Sequence, residues 1–183
     1  MFNLNEIFSL KQLLMGEKIM AEYQHIYHTF EPVYDKDSKI LILGSFPSVK
    51  SREQGFYYGH ARNRFWKVLS VLLSCEEPTS IEEKKQMLLN NHIAVWDVID
   101  SCDIKGSSDG SIRNVVPADI STILKGSSIE KIYANGKMAE KLYQKYIEPN
   151  TNIKIKVLPS TSPANAACSL EKLIEVWEGI LDV

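Results

Sequence analysis

The sequence lacks most of the groupings on which common enzyme chemistries are built. Its three cysteines, Cys75, Cys102 and Cys168, are odd in number and far apart. They indicate neither a disulfide framework nor a CxxC-based zinc or iron–sulfur site, and a reducing compartment is expected. The four histidines, His25, His28, His60 and His92, form no HxH or HExxH grouping. A GxxxxGK[ST] phosphate loop, a GxGxxG fingerprint and a GxSxG elbow are also missing, which removes the signatures of P-loop NTPases, dinucleotide enzymes and α/β-hydrolases. No apolar run approaches the roughly 20 residues that cross a bilayer. The opening stretch, MFNLNEIFSLKQLLMGEKIM, spreads charge where a signal peptide would be apolar. A cytoplasmic protein with no metal, cofactor or membrane partner is therefore expected. Formal net charge is −2, so any attraction to a polyanion has to be local.

What is present is ordinary in bulk and uneven in place. The chain has 183 residues, 44% hydrophobic and 24% charged, enough for one domain with a layered core. Four short runs are almost continuously apolar: KILILGS (39–45), HIAVWDV (92–98), KIYANG (131–136) and KIKVLPS (154–160). That pattern fits strands covered on both faces of a parallel sheet. Between them, apolar residues recur every three to four positions. One stripe is Phe65, Trp66, Leu69, Leu72 and Leu73; a second is Met138, Leu142, Tyr143 and Tyr146; a third is Leu170, Leu173, Ile174, Trp177 and Leu181. Each makes one face of a helix. SIEE (80–83) reads as a capping box with Ser80 at the N-cap and Glu83 reaching back. Alternating strands and helices imply an α/β fold with right-handed crossovers. GSSDGS (106–111) reads as a surface loop. Residues 1–24 read as an N-terminal extension, a weak amphipathic pattern through Leu4, Ile7, Phe8 and Leu14, ahead of a single domain over 25–183.

Ligands of open α/β sheets bind beyond the carboxyl ends of the strands. There the four runs turn polar or rich in Gly and Pro, as GSFPS, WDVIDS, NGK and LPSTSPAN, so one site is expected to draw on all four. In the first, Gly44 permits a tight bend, Pro47 stiffens it, and Phe46 is either a core side chain or a face for a flat ligand. GFYYGHARNRFW (55–66) interleaves Phe56, Tyr57 and Tyr58 with His60, Arg62 and Arg64, near Lys50, Arg52 and Lys67. Such a mixture suits phosphates and bases. Asn63 precedes a helical stripe, so it is either an N-cap or an amide at the mouth of a pocket. An amide is no strong base, and its part there would be positioning and electrostatics. Asp97 either caps a turn or accepts a hydrogen bond from a ring N–H. Asn135 suits a turn or a pocket lining. Ser160, Thr161 and Ser162 precede a helix expected to begin near Pro163, an arrangement for capping or for holding phosphate.

Taken together, LGSFPS, YYGHARNRFW, VWDVIDSC, NGK and LPSTSPAN resemble the uracil-DNA glycosylase superfamily, nearest to its hypoxanthine-DNA (deoxyinosine) branch, over about residues 28–180. The resemblance implies a three-layer α/β/α sandwich with a central four-stranded parallel sheet. It also implies hydrolysis, without cofactor or metal, of the N-glycosidic bond of a deaminated base in DNA, with hypoxanthine favoured, by a monomer that does not cut the strand. A uracil preference, or a damaged-DNA binding module without catalysis, is the alternative. Many relatives carry Asp or Asn before the Pro of the first loop, and His or Asn at the head of the last motif; here Phe46 and Leu158 stand there. In the deoxyinosine branch the Asn of RNxFW is implicated instead, and that residue is Asn63. The resemblance thus gives Asn63 the catalytic role and places Gly44, Ser45, Phe46, Pro47, Tyr57, Tyr58, Asp97 and Asn135 in the base pocket. Ser48, His60, Arg62, Ser160, Thr161 and Ser162 would meet DNA phosphates. Phe46 would stack on an everted purine and Asp97 would accept its N1–H.

Overall fold

The structure, a computed structural model, describes residues 22–106 and 108–181; the pattern read through Leu4, Ile7, Phe8 and Leu14 lies outside them. In chain order the strands are β1 (Gln24–Tyr27), β2 (Ile40–Gly44), β3 (Ile93–Asp97), β4 (Ile99–Ile104), β5 (Arg113–Pro117), β6 (Lys131–Asn135) and β7 (Ile155–Leu158). The helices are α1 (Val49–Gln54), α2 (Phe65–Leu72), α3 (Ile81–Asn90), α4 (Ser121–Lys125), α5 (Lys137–Tyr146), α6 (Glu148–Thr151) and α7 (Leu170–Trp177).

Unbroken branched aliphatics need cover on both faces, and the central sheet supplies it. Its order is β3-β2-β6-β7, and every neighbouring pair is parallel, with Ile42 opposite Val95 on one side and Tyr133 on the other. Leu41, Ile42, Leu43, Ala94, Val95 and Ala134 are fully buried. Helix α3 packs on β3, α5 on β6 and β7, and α2 against α7. At the last contact the Phe65 and Trp177 rings meet edge-on at 5.7 Å. Trp177 also donates its indole N–H to the Pro159 carbonyl at 3.0 Å, tying the final helix to the exit of β7. This is the expected α/β sandwich. Among the described residues no helix is long and apolar enough to cross a membrane.

Two expectations need correction. A second sheet, antiparallel in the order β1-β4-β5, lies beside the first and was not anticipated. Its members lack a continuous apolar run: β5 is mostly exposed, and a single residue separates β4 from the end of β3. The GSSDGS segment lies between β4 and β5 and includes a short 3₁₀ turn at Asp109–Ser111. Nor does the last helix begin near Pro163. It starts at Leu170, with Ser169 as N-cap accepting from the Lys172 N–H. Residues 162–168 form turns instead, because their carbonyls are engaged by a side chain from elsewhere in the chain.

The capping box of α3 is present as read. Glu83 Oε2 accepts the backbone N–H of Ser80 at 3.0 Å and of Thr79 at 2.7 Å, while Ser80 Oγ accepts the Glu83 N–H at 3.1 Å. These donors, Ser80 first, pull the Glu83 carboxyl from its ordinary 4.5 down to about 2. A depressed folded-state value stabilises above the unfolded value and is lost as pH falls through the folded one. Urea midpoints should therefore show wild type more stable than Glu83→Ala at pH 7, with the gap closing between pH 4.5 and about 2.

Candidate active site

A cavity of about 580 Å³ opens at the carboxyl ends of the parallel strands, within the size range of small-ligand sites. Every residue to which the resemblance gave a site role lines it except Arg62, which is exposed; of the wider cluster, Arg52, Phe56, Arg64 and Lys67 do not line it. Phe46 and Asn63, the two on which the sequence reading turned, share this one space.

Asn63 lines the cavity as expected but is not the N-cap of α2; Arg64 holds that position, and no side chain caps the helix from it. Asn63 Oδ1 accepts the Phe65 N–H at 3.0 Å, covering a donor that the first turn of α2 leaves open. Only the oxygen of the amide can accept an N–H, so this bond fixes which way the group is turned. The Nδ2 end takes no part in that bond. Arg64 follows, and here the sequence expectation fails: it does not belong to a phosphate-binding patch. Its guanidinium donates to the carbonyls of Thr161 (3.3 Å), Ser162 (2.9 Å), Asn165 (3.0 Å) and Cys168, and its own N–H to Thr161 O at 3.1 Å. Arg52 is engaged likewise, donating to the Pro47 carbonyl at 2.7 Å with its guanidinium 5.7 Å from the Phe46 ring centre. Partial burial lowers its pKa. Lys50 pairs with Glu53 at 2.6 Å and Lys67 with Glu77 at 3.6 Å. The basic cluster thus thins to His60 and Arg62.

Asp97 ends β3 and is 4% exposed. One carboxylate oxygen, Oδ2, lies 3.0 Å from His28 Nε2. The other faces Gly44: a methyl group there would come within 2.2 Å of Oδ1, so β2 must end in glycine for the carboxylate to lie where it does. Tyr57 is buried and donates to the Glu31 carbonyl at 2.9 Å. Tyr58 stacks on Phe65 at 3.8 Å. Its backbone φ is +52°, a conformation that costs a bulky residue about 1–3 kcal/mol. Its buried hydroxyl has no hydrogen-bond partner of acceptable geometry. Burial first, then the nearby Asp97 charge, push both phenols far above their usual range; Asn135 opposes this at Tyr58.

The loop after β7 is held from β6. Asn135 donates to Thr161 Oγ1 and accepts the Thr161 N–H, both at 2.9 Å. Gly136, at φ +102°, leaves room for Ser160, whose Cβ would lie 2.9 Å from an added methyl. Thr161 is fully buried, which corrects its assignment to DNA phosphate: its hydroxyl is engaged inside the protein. Ser160 Oγ and Ser162 Oγ accept the N–H groups of Ser162 and Ala164, each at 3.2 Å, yet line the cavity. Ser48 caps α1 by accepting the Ser51 N–H at 3.2 Å, and His60 Nδ1 accepts the Arg62 N–H at 3.1 Å. His28 escaped the sequence reading. It sits in no motif, and its partner lies 69 positions away. Among the described residues, no three His, Cys, Asp or Glu side chains gather as a metal site.

The packing of Gly44 gives a direct test. Gly44→Ala should lower stability by about 1–3 kcal/mol through overpacking and displace the Asp97 carboxylate. Thermal melts, with chemical-shift changes at Asp97 and His28, would register both effects.

The profile of the Uracil DNA glycosylase superfamily matches residues 31–180. A hypoxanthine DNA glycosylase of Methanosarcina acetivorans is 32% identical over 153 residues, covering 82% of this chain and 95% of the relative. One of Methanosarcina barkeri is 33% identical over 140 residues, covering 74% and 86%. A solution NMR structure from M. acetivorans, described as a candidate uracil DNA glycosylase, superposes with a TM-score of 0.71 at 32% identity. It covers 83% of this chain and 94% of its own. With the profile spanning most of its length and two such relatives beside it, the chain belongs to the uracil DNA glycosylase superfamily.

Proposed function

We propose that the protein is a monofunctional DNA glycosylase that removes a deaminated base, hypoxanthine in the first place, by hydrolysis. The observation that carries this reading is the convergence of Phe46, Asn63 and the buried Asp97 carboxylate on one cavity. Membership of the superfamily, and two relatives named for hypoxanthine, support it. Cys75 is exposed, Cys102 buried and Cys168 half-buried, and none of the three is in a disulfide; we read the protein as cytoplasmic, and as a monomer.

In this reading the target nucleotide leaves the duplex and its base enters the cavity. Phe46 supplies an apolar wall for the purine. Asp97 Oδ1 accepts the N1–H of hypoxanthine; adenine has a lone pair at N1 and finds no partner there. The C1′–N9 bond then breaks, with its electrons passing to the base and positive charge developing on the sugar. Water adds its oxygen to C1′ and its proton is delivered to the departing ring, which balances the hydrolysis. Asn63, with Oδ1 engaged by the helix, acts through its N–H group, donating to the base as it gains charge or to the oxygen of the attacking water. A fixed donor of this kind contributes about 10²–10³ in rate. Ser48, His60, Arg62, Ser160 and Ser162 ring the approach and hold flanking phosphates. Lys50 reaches the cavity, but its ammonium is exposed and paired with Glu53, unlike the desolvated amine that Schiff-base chemistry uses.

The deciding experiment incubates the protein with duplexes carrying one deoxyinosine or one deoxyuridine, with and without alkali. Alkali-dependent cleavage at deoxyinosine is expected. Intact strands after alkali for both lesions overturn the enzymatic reading, and cleavage at deoxyuridine alone shifts the substrate. Asn63→Asp keeps the oxygen that accepts the Phe65 N–H and loses the donor, so melting should change little while release falls about 10²-fold or more. Loss of stability with normal release would leave Asn63 a structural residue alone. Asp97→Asn should slow deoxyinosine release about 10–100-fold with affinity for an abasic-site duplex kept; equal loss of both would refute a base-reading role.

A further inference from the structure

Among the described residues, two buried side-chain polar atoms have no hydrogen-bond partner: Tyr58 Oη and His28 Nδ1. Both belong to neighbours of Asp97. The second is the more informative, because His28 is built into the protein from several sides. Its backbone N–H donates to the Asp100 carbonyl at 2.6 Å. Its ring lies 4.1 Å from Trp96 and 4.5 Å from Phe30, centre to centre. The side chain is only 2% exposed, so it cannot touch a substrate. An orphaned ring nitrogen in such a place carries a desolvation penalty that an apolar ring would avoid. The imidazole offers something that an apolar ring lacks, a donor at Nε2 aimed at Asp97 Oδ2.

Resting on the glycosylase reading, we propose that His28 is a positioning residue for base recognition. Its Nε2–H occupies Oδ2 and fixes the carboxylate plane, so that Oδ1 alone is presented to the base as an acceptor. The bond requires a proton on Nε2, and Nδ1 is the ring nitrogen left without a partner. Without this donor, Oδ2 is buried with no partner and the carboxylate can turn away from the cavity. A ligand with a ring N–H then loses its advantage over one without it. His28 thus governs selectivity for lactam bases, from a place behind the pocket wall.

The test compares single-turnover release from two duplexes, one with a single deoxyinosine and one with a single N1-methyl-deoxyinosine, which has no N1–H. Glutamine places an amide N–H where histidine has Nε2; leucine and asparagine do not. His28→Leu and His28→Asn should each slow deoxyinosine release about tenfold or more, leave the slower N1-methyl reaction unchanged, and keep affinity for an abasic-site duplex. His28→Gln should restore the deoxyinosine rate to within about threefold of wild type. A parallel loss on both substrates, or a glutamine variant as impaired as the leucine one, overturns the proposal. If leucine does not fold, asparagine against glutamine decides by the same criterion. Wild type that releases no hypoxanthine overturns the glycosylase reading and this inference with it, whereas active wild type with parallel losses overturns the inference alone.

Discussion

The guanidinium of Arg64 is the fastening on which the cavity depends. It reaches carbonyls 97 to 104 residues further along the chain, joining the start of α2 to the loop that follows β7. Loop carbonyls buried away from water need donors, and a planar group with five N–H bonds can serve several at once. That is why the segment after Ser162 stays in turns and the last helix is delayed to Leu170. It also sets Asn63, one residue earlier, against the same space as Ser160 and Ser162.

Within that frame the polar groups of the site share a design. Asn63 and Asp97 both line the cavity, and each commits one atom to a bond within the protein. The first covers the leading N–H of α2 and the second meets a buried ring. Each bond restrains its side chain against rotation, the kind of fixed placement that preorganised sites use. Gly44 completes the arrangement by being absent as a side chain, and the Asn135–Thr161 pair holds the far rim.

Much of this was legible in the sequence, for a physical reason. Strands such as Ile40–Gly44 are covered on both faces, so they must be apolar throughout, and polar residues appear only where the sheet stops. The four loops therefore announced themselves. The capping box at Ser80 and Glu83 is local and could be read from four letters. What escaped depends on distant contacts. Strand Arg113–Pro117 is too exposed to carry a pattern. Arg64 looked like a phosphate ligand because charge alone does not say whether a guanidinium meets an anion or a set of carbonyls. Thr161 looked like Ser160 and Ser162, yet burial separates it from them. His28 has no motif at all; its meaning lies wholly in Asp97.

The same long-range fastenings bear on when the site comes into being. The sheet core needs β2, β3 and β6, but the cavity also needs Arg64 to find partners beyond residue 160 and Asn135 to find Thr161. Contacts of such separation form late, since loop closure precedes their reward. On a translating ribosome, the polypeptide can gather its central strands while the pocket still lacks a wall. Recognition is withheld until the final stretch of the chain emerges, so a truncated product would retain the scaffold yet be unable to grip a base.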